Sequence, residues 1–224
     1  MVGETRKGEA EMITAKSEIL GRIRRGLGIQ AANRAAEQAA IERKYAQTSA
    51  LNEAQRLDLF AERLRDYDVR VYRCRESDLA AGIAQALTAR HKHRLLVPEG
   101  IPSQWLPESF EFVRDRGLAY GEVDRSEGVL TGCLLAMAST GTIVLRHSPQ
   151  DGRRALTLIP DYHLCVVHGG QVVHTVPEGV RKIRKFGKIL ITTISGPSAT
   201  SDIEMTRIKG VHGPRTLDVI LVVE

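Results

Sequence analysis

Near residue 69 the chain changes rhythm, and that change constrains its fold more than any other feature. Beyond it, short aliphatic runs alternate with stretches of helical spacing: Val69-Arg70-Val71-Tyr72, then residues 79–87, then Leu95-Leu96-Val97. Further strands are expected at 142–145, 164–167, 189–194 and 217–223, and helices at 127–138, 177–186 and 201–209. Strands separated by helices need crossover connections. The pattern therefore predicts an α/β domain with a mostly parallel sheet sandwiched by helices.

Ahead of that point the sequence reads as helix. Within residues 12–27 the apolar positions Ile19, Leu20, Ile23 and Leu27 recur at three- and four-residue spacing and stop at Gly28. Residues 30–47 are rich in Ala, Glu and Arg and lack Gly and Pro, and helical spacing continues over 51–64 through Leu57, Phe60, Ala61 and Leu64. Because residues 32–46 offer little large apolar surface, an arm that folds fully against another subunit is expected, with a homo-oligomer through these helices as one outcome. The division expected is a helical N-terminal extension over 1–66 and an α/β domain over 67–224.

Composition excludes several classes. With 42% hydrophobic and 26% charged residues in 224, the chain matches an ordinary globular protein. No stretch approaches the roughly 18 apolar residues of a membrane helix. The first thirty residues are too charged for a secretory segment, so a cytoplasmic protein without membrane insertion is expected. Cys74, Cys133 and Cys165 lie far apart with no Cys-x-x-Cys pair, so neither a metal nor a cofactor is expected. His91-Lys92-His93 has no carboxylate or cysteine companions and reads as a surface pair. A net charge of +5 permits an anionic partner. The sharpest basic run holds Arg181, Lys182, Arg184, Lys185 and Lys188 with Phe186 as its one aromatic, which favours a solvated helix over a nucleic-acid surface.

Three stretches carry possible chemistry. In Ala138-Ser139-Thr140-Gly141-Thr142 a small-residue helix is expected to turn into a strand, where Thr140, Gly141 and Thr142 could meet an anion or simply bond their own backbone. In Ser195-Gly196-Pro197-Ser198-Ala199-Thr200-Ser201-Asp202-Ile203-Glu204 a strand end leads into a helix start. Ser201 and Glu204 have capping-box spacing, leaving Gly196, Ser198, Thr200 and Asp202 as ligand candidates beside the helix amino end. In Lys209-Gly210-Val211-His212-Gly213-Pro214-Arg215 a tight turn would fix His212, a candidate proton carrier, and Arg215, a candidate anion clamp. The first and second stretches are expected together at the carboxyl edge of the sheet. Each stretch also has a purely structural reading.

Taken together, the GPSATSDIE and GVHGPR stretches resemble the LUD-domain family of lactate-utilisation proteins. The resemblance extends back through ASTGTIVL and through Arg153-Arg154-Ala155-Leu156-Thr157-Leu158-Ile159-Pro160 to His163, covering residues 95–224. The family commonly has an acidic residue where this chain has Ser139, so no carboxylate role is carried to that position.

What the resemblance implies is an α/β fold similar to the ribose-5-phosphate isomerase, glucosamine-phosphate deaminase and CoA-transferase superfamily. It further implies a component of a system that oxidises L-lactate to pyruvate, whose iron–sulfur lactate-utilisation proteins would be its partners. The role stays open between a catalytic subunit that binds a small anionic ligand and an accessory protein that assembles the complex. A stand-alone CoA- or sugar-phosphate-binding enzyme of the same fold is the alternative.

Overall fold

The computed structural model describes residues 5–27, 38–42, 44–200, 208–209 and 213–223. Two compact units divide the chain, Met1–Tyr45 and Ala46–Glu224. In the first, helix α1 (Thr5–Gly26) ends with Arg24 and Arg25, cations placed at the negative end of its dipole. Its stripe of Ile19, Leu20, Ile23 and the following Leu27 is exposed. Of the helix expected over 30–47, only residues 38–40 are helical among those described. No helix among the described residues is long and apolar enough to cross a membrane.

The second unit opens with α2 (Glu53–Arg65). A reciprocal cap starts it: the Asn52 side chain accepts from the Gln55 N–H, and the Gln55 side chain accepts from the Asn52 N–H. Leu57, Phe60, Ala61 and Leu64 then fall on one buried face. This helix therefore belongs to the core of the α/β unit.

Six strands, β1 (Arg70–Cys74), β2 (Arg94–Pro98), β3 (Glu111–Asp115), β4 (Val129–Thr131), β7 (Tyr162–His168) and β12 (Thr216–Val222), form a sheet. Its order is β1-β12-β7-β4-β2-β3 and every pairing is parallel. β7 and β12 are interior strands and pair along their whole length, from Tyr162 with Thr216 to His168 with Val222. A second sheet joins β8 (Val172–Val173), β5 (Leu135–Met137), β6 (Thr142–Arg146) and β9 (Ile191–Ser195) in that order, with β6 antiparallel to both neighbours. A short ribbon pairs β10 (Ala199–Thr200) with β11 (Ile208–Lys209).

The parallel sheet is buried on both faces, which explains its near-continuous apolar strands. On one face α3 (Leu79–Ala89) sets Ile83, Ala86 and Leu87 against Leu95, Leu164, Val166 and Ile220. On the other, Leu57, Phe60 and Leu64 of α2 meet Ala136, Ile143 and Leu145 of the second sheet over Val167, Val219 and Leu221. Truncating Phe60 to Ala there costs about 3–5 kcal/mol. The second sheet turns Leu135, Met137, Val144 and Val173 outward, where Ile183 of α5 (Val176–Arg184) packs on them. Gly179 allows that approach, since a Cβ would collide with the Met137 side chain. A short α4 (Tyr120–Asp124) buries Val123 beside Leu96, Val129 and Leu156.

The expected α/β architecture is present, and two local expectations are corrected. Residues 127–138 form β4 and β5, not a helix. Both are three-residue strands buried throughout, and short apolar runs buried on every side carry no periodicity that separates strand from helix. Consequently 138–140 is a 3-10 turn inside a hairpin, closed by Gly141 at φ 59°, where a Cβ would crowd the Arg63 backbone. Of the helix expected at 201–209, residues 208–209 are a strand, and 201–207 lie outside the described residues.

Candidate functional site

Two glycine-proline loops meet at the amino ends of β7 and β12. The Ser198 N–H donates to the Pro214 carbonyl at 2.8 Å. Gly196 (φ 79°) and Gly213 (φ 88°) both occupy the left-handed region, so each turn requires its glycine. These loops border a cavity of about 170 Å³. Thr192, Thr193, Ile194 and Ser195 of β9 line one wall, Arg154 and Thr157 another, and His163 and Leu217 the sheet edge. Pockets for drug-sized ligands run to roughly 300–1,000 Å³, so this one suits a much smaller molecule.

His163 is the buried titratable group of the cavity, 1% exposed. Its Nε2 lies 2.8 Å from the Thr131 hydroxyl, and its Nδ1 has no hydrogen-bond partner among the described residues. Burial pushes its pKa down to about 4, so the ring is neutral at pH 7. An anion bound beside it would draw that value back toward neutrality. Arg154 supplies the cavity's positive charge from an exposed turn. The preceding residue holds that turn: Arg153 pairs with Asp115 through Nε at 2.7 Å and Nη2 at 3.1 Å. Burial opposes ionisation of Asp115, but the Arg153 pair and the Leu118 and Gly117 N–H groups outweigh it and hold the carboxyl below its usual range. A neutral imidazole, one guanidinium and several hydroxyls around a small cavity can bind a small carboxylate and hydrogen-bond a neighbouring oxygen.

A family profile described as the LUD domain matches residues 15–222. The chain belongs to the LUD-domain family. It is 46% identical over 176 residues to Lactate utilization protein C of Deinococcus radiodurans, covering 77% of this chain and 82% of that protein. It is 31% identical over 106 residues to Lactate utilization protein C of Shouchella clausii, covering 45% and 46%. A crystal structure of a DUF162 family protein from Deinococcus radiodurans aligns with a TM-score of 0.66 and 40% identity, over 77% of this chain and 99% of that one.

Within this LUD domain the residues singled out from sequence separate. Gly196 and Ser198 line the cavity. Thr140, Gly141 and Thr142 lie outside its lining and reach it through a chain of hydroxyls: Thr140 to Thr142 at 2.7 Å, then Thr142 to Ser195 at 2.9 Å. Arg215 is exposed, forms an ion pair with Asp161, and is not among the lining residues. Thr200 belongs to β10, while Asp202 and His212 lie outside the described residues. The cavity occupies the amino edge of the parallel sheet, not the carboxyl edge expected. The cause is β9, which pairs antiparallel with β6 in the second sheet and so delivers residues 196–198 to the opposite edge.

Arg154 and His163 are not among the candidate site residues of the sequence motifs, although both fall in the stretch that carries the family resemblance. The available signal was a histidine near the start of an otherwise apolar strand, Tyr162–His168. Among the described residues no group of three or more His, Cys, Asp or Glu could hold a metal ion. Cys133 and Cys165 are buried, and the Cys165 hydrogen bond together with burial pushes the Cys133 thiol far up, which keeps it protonated.

Proposed function

We propose that this LUD domain serves L-lactate utilisation in the cytoplasm as a cluster-free component, and that its amino-edge cavity holds a small carboxylate of the size of lactate or pyruvate. The observation that carries this reading is the 46% identity to Lactate utilization protein C of Deinococcus radiodurans over 82% of that protein. The cavity fits the chemistry. Arg154 pairs with the carboxylate, and neutral His163 hydrogen-bonds the adjacent hydroxyl or carbonyl oxygen. At about 170 Å³ the space is too small for CoA, which weighs against the stand-alone alternative at this site.

On sequence alone, His212 is the proton carrier of this reading, with Thr200 and Asp202 near the ligand. Iron–sulfur lactate-utilisation proteins would take the electrons, since Cys74, Cys133 and Cys165 form no cluster-binding pattern. The exposed stripe of Ile19, Leu20, Ile23 and Leu27 favours an accessory role besides, with α1 as the surface for assembly.

Complementation tests the reading. In a bacterium deleted for its own lactate utilisation protein C, this chain should restore growth on L-lactate, and Arg154→Ala with His163→Gln should not. L-lactate or pyruvate should also raise the melting temperature of the wild-type protein. Failure of the wild-type chain to restore growth, with the protein present and folded in the cells, would sink the proposal.

A further inference from the structure

A second, larger cavity of about 410 Å³ lies where the chain leaves the carboxyl end of β7 and passes β8 to α5. Arg56, Arg181, Lys182 and Lys185 line it, against Glu178 as the one acidic lining residue. The carboxylate of Glu178 is engaged by the N–H groups of Ser49, His174 and Thr175. Arg181 is tied to Gln47, whereas no carboxylate lies within ion-pair distance of Lys182 or Lys185 among the described residues. The basic run of the sequence thus has one face on a cavity.

Two further atoms make this more than a charged surface. Arg56 Nε and His174 Nδ1 are both buried and have no hydrogen-bond partner among the described residues. Native proteins rarely leave such groups unmet, and each one that is unmet calls for an explanation such as a ligand, ion or water. Val172 and Val173 complete the lining with their side chains largely buried, and the volume lies in the range of pockets that enclose organic ligands. A single inorganic anion would leave most of it empty.

We infer that this cavity binds an organic polyphosphate of nucleotide size, with Lys182 and Lys185 on the phosphates and Arg56 and His174 deeper in the lining. The site stands apart from the His163 cavity, with which it shares no lining residue.

Calorimetric titration of the full chain with ADP tests it, using adenosine, inorganic phosphate and a short oligothymidylate as comparisons. ADP should bind, with affinity falling as salt rises. Adenosine should not bind, and inorganic phosphate should bind about tenfold or more weakly than ADP. Lys182→Gln combined with Lys185→Gln changes only exposed side chains, so it should fold normally and lose about tenfold or more of the ADP affinity. Arg154→Ala should bind ADP as the wild type does, which keeps this result distinct from the lactate reading. Absence of ADP binding at millimolar concentration, equal binding of adenosine, an unaffected double variant, or oligothymidylate binding more tightly than ADP would each overturn the assignment.

Discussion

The two cavities of the α/β unit are built from different materials. The one at the amino edge is framed by strand ends and tight glycine turns, with its histidine fully buried and a single arginine at its margin. The one beside α5 is framed by helix surface and long cationic side chains. Rigid backbone gives a small, fixed space that can select by shape and hydrogen bonding. Flexible cations give a strong field, tolerant of shape but sensitive to ligand charge and salt. The two proposed ligands, a small monocarboxylate and a larger polyvalent anion, match that difference, and substitutions on the two sides should fail in different ways.

The largest effect should come from neither cavity lining but from a buried ion pair on the α3 face of the parallel sheet. Asp218, adjacent to Leu217 on β12, is 0% exposed and receives Arg90 Nε at 2.7 Å, Arg90 Nη2 at 2.6 Å and the Tyr162 hydroxyl at 3.2 Å. Burial and the neighbouring Asp218 charge both push the Tyr162 hydroxyl pKa upward, so it remains a donor at any working pH. Asp218→Ala should cost about 3–5 kcal/mol in urea denaturation, because it strands a guanidinium and a buried phenol. Lys182→Gln, at the cavity beside α5, should leave the urea midpoint where it is. A loss below about 1 kcal/mol for Asp218→Ala would show that the pair behaves as a solvated surface ion pair and not as a buried network.

The same contrast explains what could be read in advance. Strands β1, β2, β6, β7, β9 and β12 announce themselves as short aliphatic runs, and the α5 helix through its helical spacing. Residues 127–138 do not, since β4 and β5 are only three residues long and close enough in sequence to read as one helical stretch. The loop motifs include Gly196 and Ser198, which line the cavity. Its edge of the sheet was missed because the sequence does not say that β9 belongs to a different sheet. His163 and Arg154 are hidden for a related reason: the groups that fix the histidine and the arginine turn are distant in sequence, Thr131 lying 32 residues from His163 and Asp115 38 residues from Arg153.

Acid should expose the burial of His163. Its pKa is about 4 in the folded chain and about 6.5 when unfolded, so between those values the unfolded state binds more protons. The stability this histidine contributes is complete above pH 6.5 and is lost as pH falls toward 4, a total of about 3 kcal/mol. Asp151 acts in the opposite sense, because burial raises its carboxyl pKa. The difference between wild type and His163→Gln cancels that contribution, and Gln cannot titrate. Unfolding free energies at several pH values should therefore converge as pH falls, wild type losing about 3 kcal/mol more than the variant. Parallel profiles would mean that the ring is hydrated or already paired, and the first cavity would lose its buried, neutral histidine.

The smallest effect concerns which arginine serves the first cavity. Arg154 lines it and its guanidinium forms no carboxylate pair among the described residues, whereas Arg215 is engaged with Asp161 outside the lining. Replacing Arg154 by Ala removes one charge-assisted contact at an exposed margin, so affinity for L-lactate or pyruvate should fall by about 1.5 kcal/mol, the lower end for such bonds. The urea midpoint should barely move, because the turn is held by Arg153 and Asp115. Arg215→Ala should leave carboxylate affinity unchanged, and ADP affinity should be indifferent to both. Calorimetry on the two single variants separates the cases: loss of carboxylate binding in Arg215→Ala but not in Arg154→Ala would move the anion clamp to the Pro214 turn and redraw the cavity around residues beyond its present lining.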